Sequence, residues 1–188
     1  MHCDLVEPRS LEEAVENLSN YAPDGMPVAG GQSLLVMLRN RMIAPKALVS
    51  LEHLEGFREI RSAPDRRLSI GAMVTCSMLM RAREIGDGAP VLAEAAGKVG
   101  STAIRNLGTI GGNISHNELG ADLPPALLVL NADAECRSLM GSRRIPLGEF
   151  FRDYFTTSLE QGEVLCRVHV PVLPPRAQGL YVKRDHHC

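Results

Sequence analysis

The sequence lacks long apolar runs and a strong excess of charge of either sign. No stretch of its 188 residues is apolar for long enough to cross a bilayer. The formal net charge is only −2, so nothing electrostatic favours nucleic acid or an anionic membrane as a partner. The N-terminus also lacks the basic and then apolar order of a signal peptide. These absences predict a cytoplasmic globular protein of one domain or two small subdomains.

The cysteines lack the spacing of a metal site or a disulfide framework. They are odd in number, scattered and never form C-x-x-C; they are Cys3, Cys76, Cys136, Cys166 and Cys188. This pattern argues against zinc, iron–sulfur and disulfide chemistry within the chain. We therefore predict free thiols, and no metal ligands.

Two common nucleotide-binding motifs are also missing. The Gly30-Gly31 pair does not fit G-x-G-x-x-G, and no acidic residue stands at the required distance after a first strand. The G-K-[ST] of a P-loop is absent. The missing motifs therefore argue against a Rossmann NAD site and against a P-loop NTPase.

Two glycine-rich segments are present instead. Residues 103–113 (AIRNLGTIGGN) place three glycines, a hydroxyl and an amide within six residues, and residues 28–34 (VAGGQSL) hold a second glycine pair. Glycine has no Cβ to keep an anionic ligand away from backbone N–H groups. In the upstream segment the predicted order of strand, Gly-Gly-Gln-Ser and helix directs free N–H groups at a ligand. Together the segments predict two clamps on one extended, phosphate-bearing ligand.

The remaining pattern predicts an α+β fold. Ser10 and Glu13 form a capping box for a first helix, and Pro124-Pro125 begin a later one. We expect further helices over 75–84 and 91–99, and strands over 26–29, 47–51, 57–62, 68–72, 134–139, 143–146, 164–170 and 179–183, with Gly141-Ser142 as a turn. Strands follow strands as often as helices follow strands, which argues against a doubly wound parallel sheet.

These motifs, in this order, resemble the FAD-binding (medium) subunit of molybdenum hydroxylases, the xanthine dehydrogenase and carbon monoxide dehydrogenase family. The resemblance rests on the two glycine segments, on Gly71-Ala72 with Thr75, and on Asp122 before Pro124-Pro125. It implies the FAD-binding fold of the vanillyl-alcohol oxidase and p-cresol methylhydroxylase type, with FAD between two α+β subdomains. Those subdomains would be residues 1–55 and 56–170. Because family members continue further, residues 171–188 would begin a truncated C-terminal subdomain.

The resemblance also implies which residues bind the cofactor, and it implies no catalytic residue. The first segment would hold the pyrophosphate, the second would close on the other side, Asp122 would hydrogen-bond FAD, and Lys183 would lie near the flavin. The implied cofactor-binding residues are Val28, Ala29, Gly30, Gly31, Gln32, Ser33, Leu34, Val99, Thr109, Ile110, Gly111, Gly112, Asn113, Asp122, Leu165 and Lys183. Backbone N–H groups suit two phosphates in a chain without a basic cluster.

Three side chains have other interpretations. Arg105 is more readily a structural arginine that ties its loop to carbonyl groups than a catalytic cation. Asp122 could cap the helix that follows it. His116 is better interpreted as a surface or supporting residue than as a proton-transfer group.

The resemblance implies an electron-transfer flavoprotein subunit. Partner subunits would carry the molybdenum cofactor and two [2Fe–2S] clusters, and electrons would leave FAD to an external acceptor. Two alternatives stay open: a stand-alone FAD oxidoreductase, and a truncated structural subunit without flavin.

Overall fold

The computed structural model describes residues 3–184, which form two main sheets with helices packed on them. The strands are β1 (Asp4–Val6), β2 (Gly25–Val28), β3 (Ala47–Ser50), β4 (Ile60–Ser62), β5 (Arg67–Gly71), β6 (Asp133–Ser138), β7 (Gly141–Pro146), β8 (Phe151–Asp153), β9 (Thr156–Thr157) and β10 (Val164–Pro171). The helices are α1 (Leu11–Asn20), α2 (Leu34–Arg39), α3 (Cys76–Arg81), α4 (Arg83–Gly88), α5 (Pro90–Lys98), α6 (Thr102–Leu107), α7 (Ile110–His116), α8 (Leu123–Val129) and α9 (Leu147–Phe150).

The first sheet is small and parallel, in the order β1-β3-β2. Helix α1 begins at Ser10, whose Oγ accepts a hydrogen bond from the Glu13 amide at 3.1 Å, so the predicted cap is present. Its buried face is Ala14, Val15 and Leu18. Because a helix separates each pair of successive strands here, the strand-after-strand argument for α+β applies only to the second sheet.

The second sheet is antiparallel, in the order β4-β5-β10-β6-β7. Successive side chains point to opposite faces of this sheet. Ile70, Ala134 and Val168 are buried on one face, and charged side chains such as Arg67 and Glu135 lie on the other. Helix α7 packs against β10, and α3, α5 and α8 form a further layer. The buried apolar residues of both sheets and these helices form one continuous core.

Three details of the predicted elements are wrong. The helix expected over 75–84 is broken at Ala82, whose extended backbone (φ −69°, ψ 124°) ends α3 and begins α4. Residues 139–140 make the hairpin turn, while Gly141 and Ser142 already pair in β7. Residues 179–183 form no strand, because no neighbouring strand pairs with them in the described chain.

Each main sheet uses its own part of the chain. The parallel sheet lies within residues 4–50 and the antiparallel sheet within 60–171. Within residues 3–184 no helix has the length and apolar character needed to span a membrane.

Candidate functional site

The first glycine segment, residues 28–34, joins β2 to α2 and lies against the end of α6. The backbone at Gly30 is so close to Leu107 and Gly108 that a Cβ would overlap the Leu107 carbonyl. Only glycine permits this approach. Val28, at the end of β2, accepts a hydrogen bond from the Leu51 amide at 3.0 Å, which anchors the segment to the parallel sheet.

The same segment leaves several backbone donors unused. Within residues 3–184 the amides of Gly31, Gln32 and Ser33 donate to no protein acceptor. Gly31 has φ +68°, and the Gln32 side chain donates to the Gly30 carbonyl at 2.9 Å, so the turn is fixed by its own residues. Because α2 has only six residues, the helix dipole adds little, and the free amides are the main attraction for an anion.

The second glycine segment, residues 108–113, begins α7 rather than forming the open loop that the sequence suggested. Thr109 caps the helix by accepting from the Gly112 amide at 3.1 Å. The Ile110 amide donates to Val74 and the Gly111 amide to Ala72, both at 2.9 Å. These amides are therefore occupied, and the segment can offer a ligand its side chains and its open glycine surface instead.

The two glycine segments lie side by side. The missing Cβ of Gly112 would be 3.8 Å from the Ala29 side chain, and that of Gly108 would be 3.7 Å from Gln32 Cγ. Within residues 3–184 the buried Asn113 Oδ1 atom has no hydrogen-bond partner. A buried polar atom without a partner is costly, so this oxygen indicates a place for a hydrogen-bonding ligand.

A second cluster surrounds Asp122, which is only 5% exposed. Its Oδ1 accepts from the Tyr181 hydroxyl at 2.7 Å, and its Oδ2 accepts from Lys183 Nζ at 2.9 Å. Burial and the neighbouring carboxylate raise the pKa of Tyr181 to about 12, so the hydroxyl keeps its proton at neutral pH. Asp122 makes no cap hydrogen bond to α8, so the capping interpretation was wrong.

The other predicted residues lie around these clusters. Arg105 donates from Nη1 to the carbonyls of Val99 and Gly100 at 2.9 and 2.8 Å, which confirms its structural interpretation. Lys183 also donates to the Lys98 carbonyl at 3.2 Å, so it lies next to Val99. Leu165 lies on β10 within the core and is 4% exposed.

The structure thus brings most of the predicted site residues into two groups. Residues 28–34 and 109–113 form the glycine group, and Asp122 and Lys183, with Val99 near the lysine, form the acid–lysine group. His116 packs its ring against Phe155 at 4.9 Å, in neither group. Sequence reasoning missed Tyr181. The signal was available, because alternate residues of an extended segment face the same side, and Tyr181 precedes Lys183 by two.

Fold and site together define an α+β domain with two abutting glycine segments, unused backbone donors and a buried, paired carboxylate. Residues 1–173 match the family described as the FAD binding domain in molybdopterin dehydrogenase. The chain belongs to this family of FAD-binding domains. The donors suit the phosphates of FAD, and the carboxylate suits its hydroxyl groups, so the residues present fit the cofactor.

Named relatives support this assignment. The chain is 39% identical over 171 residues to the 6-hydroxypseudooxynicotine dehydrogenase complex subunit alpha of Paenarthrobacter nicotinovorans, covering 91% of this chain and 57% of that protein. It is 34% identical to the carbon monoxide dehydrogenase medium chain of Hydrogenophaga pseudoflava, in a match that covers 92% of this chain and 58% of that protein.

Solved structures agree. Carbon monoxide dehydrogenase from Hydrogenophaga pseudoflava superposes with a TM-score of 0.90 at 32% identity, over 93% of this chain and 61% of that one. Quinoline 2-oxidoreductase from Pseudomonas putida 86 superposes with a TM-score of 0.88 at 34% identity, over 92% of this chain and 60% of that one. These matches confirm the FAD-binding α+β fold. The chain spans about three-fifths of the length of these relatives.

Proposed function

We propose that this chain is the FAD-holding part of an oxidoreductase of the molybdenum hydroxylase type. The observation that carries the proposal is that both of the abutting glycine segments hold unpaired polar groups within residues 3–184: the amides of residues 31–33 in the first and the Asn113 oxygen in the second. A ligand that pairs with these groups would satisfy them.

Different residues would bind different parts of FAD. The amides of Gly31, Gln32 and Ser33 would bind its phosphates, while Gly112 would leave room for close approach. Asn113 would hydrogen-bond to it from the second segment. When bound, FAD supplies the redox chemistry by which electrons from [2Fe–2S] clusters of a partner subunit would reach an external acceptor.

Asp122 would accept a hydrogen bond from a cofactor hydroxyl, and Lys183 would balance its charge. Val99 would cover part of the cofactor, and Leu165 would lie beside the ring system from within the core. None of these roles needs a nucleophile or a general base, so we propose no catalytic side chain in this chain.

The relatives' names also motivate proposals about assembly. By analogy with medium chains and subunits of dehydrogenases, this chain would bind a large subunit with the molybdenum cofactor and a small subunit with the clusters, in the cytoplasm. We further propose that residues 1–55 and 56–170 are the two FAD-binding subdomains. The change of sheet between residues 50 and 60 supports this boundary.

The first experiment is to add FAD to the purified chain, remove the excess and record a visible spectrum. We expect a flavin spectrum and release of intact FAD on denaturation. A chain that takes up no flavin when folded would contradict the proposal and favour a structural subunit.

A second experiment separates the complex from a stand-alone enzyme. The protein, purified gently from its native cells, should carry partner chains with iron and molybdenum, measured by elemental analysis. Flavin that is reduced by a substrate without those partners would instead support a stand-alone oxidoreductase.

A further inference from the structure

Residues 179–183, which we call the strap, run along one side of α5. A Cβ on Gly179 would lie 3.0 Å from Val91 Cβ, and the Tyr181 amide donates to Glu94 Oε2 at 3.0 Å. Lys183 Nζ donates to the Lys98 carbonyl at 3.2 Å. Since positions 91, 94 and 98 are spaced by three and four residues, they lie on one helix face. The strap is therefore held at three successive points.

The strap is extended, and its side chains alternate. Tyr181 and Lys183 turn toward the protein, while Leu180 and Val182 are 78% and 74% exposed. This period of two is that of a strand, although no neighbouring strand pairs with it. The fixed spacing delivers a hydroxyl and an ammonium to the two oxygens of one buried carboxylate.

We propose that Tyr181 is a positioning residue of the cofactor site, which orients the Asp122 carboxylate for a hydroxyl group of FAD. The inference rests on the proposed function. An ionised carboxylate has about four lone-pair sites, so two remain for a ligand after Tyr181 and Lys183 have bound. Without the hydroxyl, Oδ1 would have to find a new donor in a nearly water-free place, and the carboxylate would rotate about its Cβ–Cγ bond.

The test is a double-mutant cycle on FAD affinity. Tyr181→Phe keeps the ring and removes only the donor, and we expect FAD to bind about three- to tenfold more weakly, the size of one ordinary net hydrogen bond, because the tyrosine acts on FAD only through the carboxylate. In the Asp122→Asn background, the same change should have little further effect, because the ionised acceptor is already gone. A merely structural tyrosine would weaken binding equally in both backgrounds, which would overturn the proposal.

The chain offers a matched control. Tyr21 also donates its hydroxyl to an aspartate, Asp4, at 3.2 Å, but it belongs to the end of α1. Tyr21→Phe should leave FAD affinity unchanged. Thermal melting without FAD should show that Tyr181→Phe is folded.

The outcomes separate this inference from the proposed function. If the wild-type chain binds FAD and Tyr181→Phe binds it equally well, only the positioning role fails. If the folded wild-type chain binds no FAD, both fail. Melting temperatures of the four cycle proteins without FAD report whether Tyr181 and Asp122 are energetically coupled before the cofactor is added, and we expect that coupling to be present.

Discussion

At the scale of single residues, Gly30 is the position where the two glycine segments depend most directly on a missing side chain. In Gly30→Ala the new Cβ would overlap the Leu107 carbonyl. We expect the free energy of unfolding to fall by about 1–3 kcal/mol, as for other overpacked sites, and FAD uptake to fall with it because the segments separate. Urea unfolding and FAD titration measure both.

Gly86 is the control for this substitution. It lies within α4, and a Cβ there would meet nothing within 4 Å. Gly86→Ala should raise the free energy of unfolding by about 0.5–1 kcal/mol through helix propensity and leave FAD uptake unchanged. If Gly30→Ala and Gly86→Ala lowered the free energy of unfolding and FAD uptake by the same amounts, the close contact at Gly30 would be unimportant.

Two asparagines, Asn113 in α7 and Asn117 at its C-cap, should show opposite behaviour. Asn113 has an unpartnered oxygen, so Asn113→Ala should leave the cofactor-free stability unchanged or higher, while FAD affinity falls about tenfold. Asn117 Nδ2 donates to the Asp153 and Thr156 carbonyls at 2.8 Å. Asn117→Ala should lower stability by about 1–2 kcal/mol without changing FAD affinity in the folded protein. Melting curves and FAD titrations distinguish the two, and a loss of cofactor-free stability in Asn113→Ala would contradict a ligand role.

At the scale of elements, one ion pair fixes the loop before β10 to the edge strand β7. Glu163 is buried, and both its oxygens accept from Arg143, from Nε and Nη2, at 2.7 Å. Arg143→Ala would leave this carboxylate buried, and among the described residues the Glu160 amide would be its one remaining donor. Since the arginine is partly exposed, we expect a loss of about 2–3 kcal/mol, below the full cost of a broken buried pair.

Arg83 gives the comparison for this pair. Its contact with Asp87 joins two strongly exposed side chains four residues apart on α4. Arg83→Ala should change the free energy of unfolding by less than about 0.5 kcal/mol in urea titrations. A similar loss at both positions would mean that the burial of Glu163 has no energetic consequence.

Elements also show where sequence reasoning succeeded. The Ser10 cap of α1 and the alternating strands β5 and β6 could be predicted because local chemistry and burial agree there. The second glycine segment could not, because Thr109 turns it into a helix whose first amides bond to residues 72 and 74, far away in sequence. The strand predicted over the strap was wrong for a different reason. The residue pattern there is that of a strand, but in the described chain the strap lies against helix α5 and no strand pairs with it.

At the scale of the whole molecule, buried thiols tie stability to pH. Burial raises the pKa of Cys76 to about 11 and of Cys136 and Cys166 to about 12. Thiols in the unfolded chain ionise near 8.5, so this contribution is complete below about pH 8.5 and is lost as pH rises toward 11–12. We expect a loss of about 1.4 kcal/mol per pH unit for each thiol in that window.

Urea unfolding between pH 8 and pH 10.5 measures this dependence. Cys136→Ala should make the loss of stability with pH less steep, because it removes one of the three titrations. Cys3 is exposed, so Cys3→Ser should leave the slope as it is. Equal slopes in all three proteins would contradict the burial argument.

The fold could be predicted from the order of the motifs, and the family match over residues 1–173 confirms it. The geometry of the site could not be predicted from the order of the motifs. Contact between Gly30 and Leu107, or between Asp122 and Tyr181, joins positions far apart in sequence, and no local pattern encodes such distances.

The position of the strap has a consequence for biosynthesis. The first glycine segment leaves the ribosome on the order of ten seconds before Lys183 does, at ordinary rates of translation. Until Tyr181 and Lys183 emerge, Asp122 lacks the two donors that they supply. On the proposed function, the nascent chain would hold only the glycine group of the cofactor site until that moment, and retention of flavin would begin only after residue 183 has left the ribosome.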